Sequence, residues 1–100
     1  MNFIEHLVKY ELLQGAARLF ERARDTSQSL PPEVRKTYGE CGHVFRNIPK
    51  NYDDESIEQA ALKIQSLVES VSNDLDSDIK DEMLNTYMYA VNILGASLSL

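Results

Sequence analysis

A chain of 100 residues with 43% hydrophobic and 26% charged side chains bounds one domain around one core, and excludes an intrinsically disordered polymer. Four glycines and three prolines are too few for the turns of a β-rich fold, and a lone cysteine, Cys41, excludes an intramolecular disulfide framework. The net charge of −6 is unevenly placed: residues 1–50 balance to +2 and residues 51–100 to −8, which disfavours nucleic acid or an anionic membrane against the C-terminal half and suits a basic protein partner.

The spacing predicts a first helix over about 2–24. Asn2 and Glu5 read as a capping box, and Phe3, Ile4, Leu7, Val8, Leu12, Ala16, Leu19, Phe20 and Ala23 recur at three- and four-residue steps as a broad apolar face. Arg22 and Arg24 complement the dipole of its last turn, and Asp25 to Ser29 reads as a polar connection. A second helix, over about 32–48, opens at Pro32, which tolerates a first-turn position lacking an N–H, and ends before Pro49. Its seam is Val34, Tyr38, Cys41, Phe45 and Ile48. Gly39 and Gly42 each weaken a helix interior by about 1 kcal/mol, so a bend or break near Gly39 is expected.

Asp53 or Asp54 caps a third helix over about 54–73, with Ile57, Ala60, Ala61, Ile64, Leu67, Val68, Val71 and Leu75 along one side. Asp76 or Ser77 caps a fourth over about 77–98, carrying Ile79, Met83, Leu84, Tyr87, Ala90, Val91, Leu94 and Leu98. Short connections favour antiparallel neighbours, and an all-α antiparallel four-helix bundle is the expected fold. Without a basic segment followed by an apolar run at its start, the sequence reads as cytoplasmic. The uncharged stretch from Met83 to Leu100 leaves a tail anchor as a weaker alternative, since polar Asn85, Thr86, Asn92, Ser97 and Ser99 interrupt it.

The chemistry-bearing patterns are incomplete. Glu40 and His43 have the Glu-x-x-His spacing of a carboxylate-bridged di-metal centre, but a second copy and two further inward carboxylates are missing. Cys41 and His43, two residues apart on a helix, point about 200° away from each other, so the imidazole is badly placed to activate the thiol. Asp74, Asp76 and Asp78 imitate the start of a calcium loop whose glycine position holds Ile79 and whose glutamate position holds Asn85. The arginine-to-histidine spacing used by some helical toxin RNases is absent, and Arg46-Asn47 reads as a helix terminus. Arg18, Arg22, Arg24, Arg35, Lys36, Arg46 and Lys50 could form a basic side, but Glu11, Glu21 and Asp25 interleave with them as on a solvated face. No catalytic residue, metal site or cofactor follows.

Two features exceed what a bundle needs. Helix 4 is apolar or aromatic almost all round, leaving Met88 and Tyr89 opposite the core-facing side. Asp74, Asp76, Asp78, Asp81 and Glu82 form an acidic pole, about 30 Å along the helix 3–4 hairpin from the Asp53–Glu58 group. The expected function is a small non-enzymatic interaction module that steers a basic protein with its acidic pole and anchors it on Met88 and Tyr89. By analogy of size and charge alone, inhibitors and immunity proteins of basic toxins, or assembly adaptors, are of this kind. A homodimer through helix 4 is the first alternative, and a ligand-binding or enzymatic bundle around Tyr38, Glu40 and His43 the second.

Overall fold

The computed structural model describes residues 3–26 and 29–98. Four helices follow one another, α1 (Phe3–Thr26), α2 (Pro32–Arg46), α3 (Asp54–Ser72) and α4 (Ser77–Ser97), and no strand occurs among the described residues. Each helix packs on the next in sequence, and α4 closes the ring on α1, giving an all-α four-helix bundle. Its extents of 44 × 22 × 18 Å are those of helices lying side by side, since the 24 residues of α1 alone reach about 36 Å.

Local chemistry sets the boundaries. Pro32 starts α2, with the carbonyl of Pro31 accepting from the amides of Val34 and Arg35. The α3 cap is Asp53, whose carboxylate accepts from both the amide and the hydroxyl of Ser56 at 2.9 Å. These bonds, the backbone one first, hold the Asp53 carboxyl below its ordinary range. Asp76 precedes α4 without a side-chain capping bond. The proposed cap Asn2 lies outside the described residues.

The core is one cluster. All five members of the α2 seam are buried, facing Leu13, Ala16, Ala17 and Phe20 of α1, Ile57, Ala60, Ile64 and Val68 of α3, and Met83, Ala90 and Leu94 of α4. Phe20 lies between two aromatic neighbours, 5.8 Å from Phe45 and 6.0 Å from Tyr38 between ring centroids, within the range of favourable aromatic pairs.

Two expectations are corrected. No break interrupts α2 at Gly39: it is one continuous helix through both glycines. A side chain at Gly42 would stand 3.3 Å from the Ala17 carbonyl oxygen and 3.6 Å from the Phe20 Cβ, so the missing Cβ lets α1 and α2 approach closely. The burial that follows offsets the poor helix propensity. The second correction concerns α1. Its buried side is Leu13, Gln14, Ala16, Ala17 and Phe20, whereas Phe3, Ile4, Val8, Leu12 and Leu19 are exposed. The helix is apolar on two sides, and the one carrying small alanines fits against Gly42 of α2.

Contacts remote in sequence also tie the helices together. Arg46 donates to both carboxylate oxygens of Glu21, at 2.8 and 3.2 Å, and to Gln14 Oε1 at 3.0 Å. The Arg46 hydrogen bonds hold the Glu21 carboxyl below its usual value. His6 stacks on Tyr52 at 4.4 Å, and its Nε2 lies 2.8 Å from the Lys50 carbonyl oxygen, fastening the α2–α3 connection to the start of α1.

Candidate interaction surface

The outward side of α4 is fixed by its inward one. With Met83, Ala90 and Leu94 buried, a 3.6-residue repeat turns Asp78, Asp81, Glu82, Asn85, Met88, Tyr89 and Asn92 away from the bundle, and all seven are exposed. Met88 retains 54% and Tyr89 55% of its free surface, high for large apolar side chains in mid-helix. Asp81 and Met88, seven residues apart, share one side of that outer face; Asp78 and Tyr89, eleven apart, share the other. The acids therefore stand about 10–16 Å along the axis from the apolar pair, with Asn85 between them.

Asp74 and Asp76 in the α3–α4 turn are exposed as well, so the five acids named from the sequence gather at one end of α4. None of the five enters an ion pair among the described residues, unlike Asp25 with Arg24, Glu40 with Lys36 and Glu21 with Arg46. Unpaired and solvated, they project negative potential outward, strongest at low ionic strength.

The residues of the competing chemistries do not converge. His43 is exposed, Tyr38 is in the core, and Glu40 is half-buried with one oxygen 3.9 Å from Lys36 Nζ. Cys41 is buried, and burial, with a smaller contribution from Glu40, pushes its thiol up to about 12. At neutral pH it is a protonated packing group, poorly suited to act as a nucleophile. Burial likewise raises the Tyr38 phenol. No three His, Cys, Asp or Glu side chains among the described residues are placed to share a metal ion. A concavity of about 400 Å³ lies between the end of α2 and the start of α3, lined by Asn47, Ile48, Asp53, Ser56, Gln59 and Lys63 among others, and none of Tyr38, Glu40 or His43 reaches it.

Of the basic residues, Arg24, Lys36 and Arg46 are tied to carboxylates, and Arg35 donates to the Arg24 carbonyl at 3.1 Å. Arg18 and Arg22 are exposed on α1. No described helix is long and apolar enough to cross a membrane, α4 included. Ile4, Val8, Leu12 and Leu19, expected on the apolar face of the first helix, form an exposed stripe on α1, while the series Leu13, Ala17 and Phe20 is the buried one. No family model, curated protein or solved structure matches the chain.

Proposed function

We propose that this chain is a non-enzymatic protein-interaction module of the inhibitor or adaptor kind, which docks a basic protein on the outer face of α4. The observation that carries the reading is the adjacency on one helix face of exposed, unpaired Asp78, Asp81 and Glu82 with half-exposed Met88 and Tyr89. Charge speeds and orients the encounter, and the apolar pair supplies burial once water is excluded; aromatic side chains and methionine are enriched at such contacts. Asp74 and Asp76 extend the attracting field around the end of the helix. A cytoplasmic setting, with Cys41 reduced, accords with this reading.

A homodimer through the same face gains nothing from charge. An antiparallel copy would set Asp78 and Asp81 against the Gly95–Leu98 end, which holds no basic residue, and a parallel copy would set acid against acid. The test is affinity capture from the native host by wild type, by Asp81→Lys/Glu82→Lys and by Met88→Ala/Tyr89→Ala, with identification by mass spectrometry. A basic protein retained by wild type and lost from both variants is expected. The same proteins captured by all three would remove α4 from the interaction.

A further inference from the structure

The outer side of α1 is a second unpartnered surface, and its pattern differs from that of α4. Ile4, Val8, Leu12 and Leu19 are exposed and follow steps of four, four and seven, with Gly15 completing a four-three-four spacing from Val8 to Leu19. That spacing keeps residues along one side of a helix facing a partner helix. Ile4 and Val8 retain 71% and 55% of their free surface, Leu12 48% and Leu19 37%. At Gly15 an added Cβ would find only the tip of Arg18, at 4.0 Å, and a shallow depression of about 350 Å³ is lined by Leu7, Val8, Glu11, Leu12 and Arg18. The stripe thus has ridges and a notch.

One flank of the stripe carries Glu11 toward its N-terminal half and Arg18 toward its C-terminal half. Seven residues apart, they lie about 20° from each other around the helix, and neither enters an ion pair among the described residues. Two-fold pairing of antiparallel helices brings the same flank of each copy together, so Glu11 of one meets Arg18 of the other, twice per dimer.

We propose that a second copy of this chain packs antiparallel against the outer face of α1. Leu12 of each protomer enters the notch at the partner's Gly15, and Val8 packs on the partner's Leu19. Glu11 faces the partner's Arg18. Absence of a Cβ at Gly15 lets the helices cross closely, as Gly42 does inside the bundle. The seam is about 22 Å long from Ile4 to Leu19, about four turns of one helix per protomer, a small contact beside the roughly 800 Å² per partner of a standard stable interface, so the dimer is reversible. It leaves the α4 face free and stands independently of the proposed function.

Sedimentation equilibrium from about 1 to 300 µM, the range in which a modest interface dissociates, tests the proposal. Wild type is expected to move from monomer to dimer. Leu12→Glu, on an exposed position, is expected to weaken association by at least about 10-fold, since it puts two charges into an apolar seam. Glu11→Arg or Arg18→Glu alone sets like charges opposite each other and weakens it several-fold at low salt, while the double exchange restores it to within about twofold. Circular dichroism confirms that each variant is folded. Monomer throughout the range overturns the proposal, as does a Leu12→Glu variant that dimerises like wild type or a double exchange that rescues nothing. Co-sedimentation of wild type with phosphatidylserine vesicles, lost in Leu12→Glu and without dimer in solution, would assign the stripe to a lipid surface instead.

Discussion

Replacing Gly39 and Gly42 by alanine separates two roles that look alike in sequence. In an open helix interior each change stabilises by about 0.8–1.0 kcal/mol, because glycine loses more backbone freedom on folding. At Gly42 the new methyl would lie 3.2 Å from the Glu21 Cγ and 3.3 Å from the Ala17 carbonyl oxygen. Ala17 is buried backbone within α1, and Glu21 is held by two hydrogen bonds from Arg46, so neither yields without moving the helix pair apart. Overpacking of this kind costs about 1–3 kcal/mol, which exceeds the propensity gain and leaves Gly42→Ala destabilised by about 1 kcal/mol. At Gly39 the near atoms are Cδ and Nη1 of Arg24, at 3.2 and 3.3 Å, the end of a flexible side chain whose ion pair with Asp25 is solvated. Arg24 can turn aside, so Gly39→Ala is stabilised by about 0.5–1 kcal/mol. Thermal unfolding followed by far-UV circular dichroism reads the difference: Gly42→Ala melts about 4–8 °C below wild type and Gly39→Ala a few degrees above. Equal shifts in the same direction would refute the close α1–α2 approach.

Other perturbations test other parts of the account. Phe45→Ala removes a fully buried ring stacked on Phe20 and should cost about 3–5 kcal/mol in urea unfolding, enough to leave little native protein. His6→Ala loses the Tyr52 stack and the contact to the Lys50 carbonyl; a destabilisation of about 1 kcal/mol is expected, with faster amide exchange confined to the α2–α3 connection. Acid should weaken the fold through Glu21. Its folded pKa lies below the ordinary 4.5, so its contribution is complete above the unfolded value and fades as pH falls through 4.5 toward the folded one. Glu21→Gln should flatten melting temperature against pH in that window, and an unchanged profile would count against the Arg46 clamp. Cys41 should resist alkylation by iodoacetamide at neutral pH until the protein unfolds, with modification tracking the denaturation curve.

The helix number and three of the four buried stripes are legible in the sequence because they follow from periodicity. Val34, Tyr38, Cys41, Phe45 and Ile48 sit at a/d spacing and are all buried; Ile57, Ala60, Ile64 and Val68 do the same for α3. Periodicity could not say which side of α1 faces inward, since both Ile4–Val8–Leu12 and Leu13–Ala17–Phe20 repeat helically; the choice was made by the shape of α2. Gly42 reads locally as a defect no different from Gly39, and its use appears only with Ala17 and Phe20 beside it. The Arg46–Glu21 clamp joins residues 25 apart and the His6–Tyr52 stack joins still more distant ones, so no local spacing could reveal either. The α4 surface was foreseeable because a helix apolar on all sides must leave Met88 and Tyr89 somewhere, and charge keeps Asp78, Asp81 and Glu82 in water.

The proposed docking on α4 requires the acidic face to draw in a basic partner by long-range attraction. Once such a partner is captured, its association rate with wild type and with Asp81→Lys/Glu82→Lys should be measured by stopped flow across a range of salt. Steering by the acidic face predicts a wild-type rate that falls steeply with ionic strength and a variant that is slower at low salt and nearly flat. Matching rates and slopes for the two proteins would contradict it.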